Sequence, residues 1–186
     1  MELVLPTLAM LPEYRDALER GFAPHNINVE RVRQQQLEQL ERDPEALIAL
    51  MHDPEGIGPP IEMPDGSFKP RLPGITRWMW EDGTFIGSIN LRWAKGTSAL
   101  PEGVPGHIGY TVAEWHRGNG YATRALIQIC KEAREIGLEY VELTTDQDNI
   151  ASQRTIEKVG GRVVGTFDAG DLHHPCHETL LWRIDL

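Results

Sequence analysis

Apolar positions recur along the chain in two rhythms, steps of three and four or strict alternation, and these divide it into helices and strands. Ala122, Ala125, Leu126, Ile129, Ala133 and Ile136 fall on one stripe, which predicts a helix with that stripe against a core. Gly137 would end it in a left-handed cap. Tyr14, Ala17 and Leu18 share a helical face between Pro12 and Phe22, with Pro12 suited to the first turn and Gly21 to the end. A second helical stretch runs from Val29 to Met51, interrupted near Pro44. Ile150 to Val159 reads as a further helix, capped by Asp148 or Asn149 and stopped at Gly160-Gly161.

The strand signals fall between these helices. Glu2 to Leu5 is a first strand stopped by Pro6, and Ile75–Trp80 and Thr84–Trp93 flank Glu81-Asp82-Gly83, a hairpin signature. His107–Val112, Tyr140–Thr145, Arg162–Phe167 and Glu178–Ile184 complete the set. From His52 to Pro73 the chain turns to Pro, Gly and Asp and loses its apolar rhythm, which predicts a long connection of the kind used as a lid or binding loop. The order of elements predicts an α/β (α+β) fold, a mixed sheet with helices packed on it.

Composition narrows the classes. The 186 residues suffice for one sizeable core, so a single domain over residues 1–186 is expected. Hydrophobic residues at 40% and charged residues at 25% place the chain among folded proteins rather than disordered ones. No segment is apolar enough to span a bilayer, and Met1–Pro6 lacks the pattern of a secretory signal, so a cytoplasmic protein is expected. A net charge of −10 argues against nucleic acid and anionic membranes as partners. It suits a cationic substrate such as an amine, although solubility alone accounts for it. Cys130 and Cys176 show no metal or redox spacing, and both are expected reduced.

The candidate chemistry lies between the strand ending at Val112 and the helix starting near Ala122. A diphosphate needs several donors converging on a small volume, and the unpaired N–H groups of a helix start supply them. Gly118 and Gly120 allow close backbone approach and positive φ there. Alone this is weak, because a plain structural turn has the same form. Gly118-Asn119-Gly120-Tyr121-Ala122-Thr123 lacks the third glycine of the dinucleotide pattern, and the Walker pattern is absent.

Arg117-x-x-Gly120-x-Ala122, the preceding Gly109–Val112 strand, Asn149-Ile150-Ala151-Ser152 and Lys158-Val159-Gly160 together resemble the GNAT superfamily, the Gcn5-related N-acetyltransferases. The similarity runs from about Ile75 to Phe167, and includes a bacterial group of acetyltransferases without assigned substrate. It implies a single-domain, mostly antiparallel mixed sheet flanked by helices, with a splayed central strand pair, and acetyl-CoA as cosubstrate. By the same resemblance the backbone of Tyr110, Thr111 and Val112 lies along the acetyl-pantetheine arm, and Arg117, Gly118, Asn119, Gly120, Tyr121, Ala122 and Thr123 surround the pyrophosphate. Asn149 and Ser152 line the arm. Residues 107–160 would then form the cofactor core, with the N-terminal helices and the 52–73 loop on the acceptor side.

The implied activity is acetyl transfer to a primary amine of a small molecule or peptide by direct attack. The alternative is a non-catalytic module that binds or senses acyl-CoA. It draws on a departure: where the family often places a proton-donating tyrosine, this chain has Ile156, so Ser152 or a water would serve instead. The acceptor, the acyl length and the oligomer, a homodimer included, stay open.

Neutralising a lysine-like amine at pH 7 costs roughly 4–5 kcal/mol, which calls for a base. His107, beside the cofactor strand, is the candidate, with a satisfied structural histidine as the other reading. His173, His174, Cys176 and His177 are good zinc ligands, but Pro175 interrupts them and the spacing fits no zinc module, so no metal is expected. Glu178 reads as a pocket-rim carboxylate or an exposed strand start. Trp78, Trp80, Trp93 and Trp182 read mainly as core, and Arg92 needs a partner if buried, whether a ligand carboxylate or a structural one. A nucleophile elbow is absent, which counts against an acyl-enzyme hydrolase.

Overall fold

The computed structural model describes residues 1–25, 28–62, 66–167 and 179–186. The strands are β1 (Glu2–Val4), β2 (His52–Asp53), β3 (Ile61–Glu62), β4 (Phe68–Lys69), β5 (Gly74–Glu81), β6 (Thr84–Arg92), β7 (Ile108–Val112), β8 (Tyr140–Asp146), β9 (Arg162–Phe167) and β10 (Thr179–Asp185). The helices are α1 (Leu11–Glu19), α2 (Val29–Arg42), α3 (Pro44–Leu50), α4 (Tyr121–Ile136) and α5 (Ile150–Lys158). The helical stretch expected from Val29 to Met51 is two helices, because Asp43 leaves helical geometry (φ −158°, ψ 81°) and caps α3 with its carboxylate on the Ala46 N–H.

The first sheet has the order β1-β5-β6-β7, with β2 also pairing β5; the second has the order β8-β10-β9, and every ladder is antiparallel. The β5–β6 hairpin turns at Asp82 and Gly83, both at positive φ, as the Asp-Gly pair predicts. The 52–73 stretch is more ordered than its composition suggests. His52 and Asp53 join the first sheet opposite Ile75 and Gly74, and β3 pairs β4. Two-residue ladders are too short to leave an alternating pattern in the sequence.

Alternation along the strands sends side chains into two cores. Ile75, Met79, Ile89 and Leu91 pack with Ala125, Leu126, Ile129 and Ala133 of α4 and Ile156 of α5. Trp78 and Phe85 face the other way, against Tyr14, Ala17 and Leu18 of α1, Leu40 of α2 and Leu47 of α3. Tyr14 stacks on Trp78 with ring centroids 4.6 Å apart. Each Leu, Ile, Met or Phe side chain among them, fully buried, contributes about 1.5–3 kcal/mol by transfer from water. The α4 stripe ends earlier than its periodicity suggests: Ile136 is exposed, one position before Gly137 takes φ +97°. Trp78, Trp93 and Trp182 are buried as expected, while Trp80 is half-buried.

No ladder joins β7 to β8 among the described residues, so the two sheets part at the middle of the molecule. The hydrogen bonds holding them together lie just before β7, where Pro105 O accepts from Thr144 Oγ1 at 2.9 Å and the His107 N–H donates to Glu142 O at 2.7 Å. This is the splayed pair that the resemblance implies. Among the described residues no helix is long and apolar enough to cross a membrane.

Candidate functional site

The chain leaves β7 through a 3-10 turn at Glu114–His116 and enters α4 through Arg117–Gly120. Gly118 and Gly120 hold φ +83° and +72°, the left-handed region that costs a residue with a Cβ about 1–2 kcal/mol. A Cβ at either glycine would meet no atom within 4 Å. Packing therefore does not demand these glycines; the backbone conformation does, and it leaves open space above the turn.

None of the backbone N–H groups from Gly118 through Thr123 donates a hydrogen bond among the described residues, and the first to bond back is Arg124, to Gly120 O at 3.1 Å. The Asn119 amide braces the turn from within, donating to His116 O at 3.1 Å and Arg117 O at 3.3 Å. Charged side chains of both signs stand nearby: the Arg124 guanidinium lies 4.6 Å over the Tyr121 ring and 3.7 Å from the Glu81 carboxylate, Arg117 Nε donates to Val112 O at 3.3 Å while its Nη1 lies 3.9 Å from Glu114, and Arg20 lies 4.0 Å over Trp115. Tyr121 is fixed by its hydroxyl on the Glu81 carboxylate. In a chain of net charge −10, guanidinium groups gathered at a helix start favour an anion there.

Along the cleft, α5 faces β7. Asn149 caps α5, its side-chain oxygen accepting the Ser152 N–H at 3.1 Å. The Tyr110 hydroxyl reaches across from β7 to within 3.5 Å of Ser152 O. The structure thus brings Tyr110, Asn149 and Ser152 to one place and sets the glycine turn beyond the end of the same strand. Ile156, at the position where a tyrosine was looked for, is buried in the core.

His107 sits at the point where the sheets part, only 1% exposed. Its Nδ1 accepts the Glu142 N–H at 2.9 Å, and Nε2 lies 3.1 Å from Ser98 O. An imidazole that accepts at Nδ1 must carry its proton at Nε2, so both nitrogens are engaged. Burial holds its pKa down at about 4. Neutral and doubly bonded, this ring has no free lone pair for an amine; it stands in for a backbone group where the strand ladder stops.

Sequence reasoning did not single out His25. It follows Pro24, whose carbonyl lies 3.4 Å from Thr111 Oγ1 on β7, so the α1–α2 connection lies against that strand. Its side chain keeps solvent contact, yet partial desolvation, and then the charge of Arg92, hold the imidazole below its ordinary pKa. The only sequence signal was a Pro-His pair between two helices, which carries no chemistry until the connection is seen against β7. The residues His173, His174, Cys176, His177 and Glu178 lie outside the described ones. Among the described residues no group of three or more His, Cys, Asp or Glu side chains is placed to hold a metal. Cys130 is buried, and burial raises its thiol pKa to about 11. A separate cleft of about 820 Å³, lined by Trp93, Lys95, Ser98 and Glu139, opens at the other end of α4.

The family description "Acetyltransferase (GNAT) domain" matches residues 36–162. No curated protein matches the sequence. Among solved structures, RimL, a ribosomal L7/L12 α-N-protein acetyltransferase in complex with coenzyme A, is 11% identical over 99% of this chain and 93% of its own, with TM-score 0.66. A ribosomal-protein-alanine N-acetyltransferase from Brucella melitensis is 21% identical over 100% of both chains, TM-score 0.55. A probable acetyltransferase is 22% identical over 60% of this chain, which spans 62% of that relative's length, TM-score 0.51. At these identities the likeness is one of fold.

Proposed function

The chain belongs to the GNAT acetyltransferase family, and on that premise we propose that it transfers an acetyl group from acetyl-CoA to a primary amine by direct attack on the thioester. The observation that carries this reading is the run of unpaired N–H groups from Gly118 through Thr123 at the start of α4. They would hold the pyrophosphate, with Arg117 and Arg124 beside it; RimL, which has a similar fold, is in complex with coenzyme A. The acetyl-pantetheine arm would run along Tyr110, Thr111 and Val112, between β7 and α5, past Asn149 and Ser152. The bound group supplies the activated acyl carbon; the chain's own residues position it and move protons.

An amine approaching from the α1–α2 side meets His25 first. A neutral imidazole there can take the ammonium proton, directly or through water, which places the base at His25 and leaves His107 to hold the strands. The Tyr110 and Ser152 hydroxyls are the proton donors nearest the arm and would serve the departing thiolate in place of Ile156.

Calorimetry with acetyl-CoA, followed by release of free CoA thiol across a panel of amines, tests the reading. Tight binding and amine-dependent thiol release support it. Binding without turnover on any amine would make the protein an acyl-CoA sensor, and no binding at all would remove the cradle assignment.

A further inference from the structure

Ser88, Asn90 and Arg92 alternate along β6 and share one face, with Thr76 opposite Asn90 and Thr111 opposite Ser88. Trp78 also stands opposite Ser88 and packs under α1, so this row lies on the face that carries the α1–α2 connection and His25. Arg92 ends the row. It is half-buried, and the one hydrogen bond of its side chain among the described residues runs from Nε to Gly106 O at 2.7 Å. No carboxylate lies within ion-pair distance of it among the described residues. Its neighbour across the ladder is Gly74, which places no side chain over it.

Asn90 adds a donor. Its Oδ1 accepts the Gly109 N–H at 2.9 Å, leaving the amide hydrogens without a partner among the described residues. Residues two apart on a strand are separated by about 6.6 Å, near enough for long side chains to converge on one small anion. A purely structural role explains only part of this. Holding Gly106 O takes the Nε–H alone, which a neutral glutamine could replace, whereas both Nη groups are left without a protein partner among the described residues. Desolvation also pulls the Arg92 pKa down, the sign of a charge lacking compensation.

We infer that Arg92, assisted by Asn90, binds a carboxylate of the acceptor, so that the amine to be acetylated belongs to an amino acid or peptide with a free carboxylate near it. The two Nη groups of a guanidinium match the two oxygens of a carboxylate, and a desolvated fork binds it more strongly than an exposed one. This inference rests on the acetyl-transfer reading and names the acceptor class for that site.

The test uses product-like probes, N-acetyl derivatives of the common amino acids as free acids and as matched amides, added to the full chain. The reporter is the Arg92 Nε–H resonance, identified by its loss in Arg92→Lys. Free acids that move this signal and bind about 10-fold or more tighter than their amides bear the inference out. Arg92→Gln should erase the preference, with Arg92→Lys keeping part of it, and both should bind acetyl-CoA as the parent does. Equal response to acids and amides, no response to either, or a preference that survives Arg92→Gln would overturn it. Acetyl-CoA titration of the parent separates the two readings, since loss of cofactor binding there counts against acetyl transfer, whereas an unresponsive Arg92 in a chain that binds acetyl-CoA counts against the carboxylate alone.

Discussion

The two ends of β7 treat their polar groups in opposite ways. Before its first residue, His107 is buried and satisfied, with its N–H and both ring nitrogens engaged by Glu142 and Ser98. Beyond its last, the N–H groups from Gly118 through Thr123 have no partner among the described residues, and a Cβ at Gly118 or Gly120 would meet no atom of those residues within 4 Å. A buried donor without a partner costs about 1–3 kcal/mol, so the closed end must be saturated. The exposed end can leave its donors to solvent until an anion arrives. Saturation marks the point where the strands splay, and its absence marks the end proposed to take the pyrophosphate.

The largest expected effect comes from filling the open end. Gly120→Val adds a β-branched side chain at φ +72°, pointed into the space proposed for the pyrophosphate. Acetyl-CoA affinity should fall about 100-fold or more by calorimetry while far-ultraviolet circular dichroism stays native. Affinity that is unchanged would break the contrast between the two ends.

The closed end should answer to acid. His107 has its pKa lowered from 6.5 to about 4, so its contribution to stability is fully present above pH 6.5 and is lost as pH falls toward the folded value. At full size this amounts to about 3 kcal/mol. His25 and His116, also held low, act in the same direction, so the useful reading is the difference between parent and His107→Leu denaturation profiles over that window. Parallel profiles would show that the ring does not hold the vertex.

Between the ends, Asn149→Ala removes the α5 cap and should cost about 1 kcal/mol in urea unfolding. A larger loss of acetyl-CoA affinity than of stability would sharpen the cleft assignment. The smallest effect is expected from Tyr110→Phe, which deletes a hydroxyl 3.5 Å from Ser152 O. Stability should move by under about 0.5 kcal/mol, and thiol release should slow more than binding weakens if the hydroxyl serves the thiolate.

The open end was readable in the sequence because its features are local. Glycines at positions that need positive φ, a helix stripe starting after them and a strand before them all lie within a few residues. The α4 stripe and the Asp82-Gly83 turn were legible for the same reason, and the mistake at Ile136 is one of extent, since periodicity does not say where a neighbouring surface ends. The closed end was not readable. His107 beside a strand is compatible with a base or a structural ring, and only Glu142, thirty-five positions away, decides between them. His25 was passed over because its meaning depends on Pro24 lying against Thr111, eighty-seven positions apart.

By itself, then, the sequence determined the elements, the glycine turn before α4 and the family resemblance, because backbone conformation and amphipathic spacing are set by neighbours in the chain. Tertiary structure decided where the sheet breaks, that His107 is locked, that the segment carrying His25 lies against β7, and that Arg92 has no carboxylate partner among the described residues. Those depend on which distant groups desolvate or satisfy a side chain, a sum over the folded surroundings that local spacing does not carry.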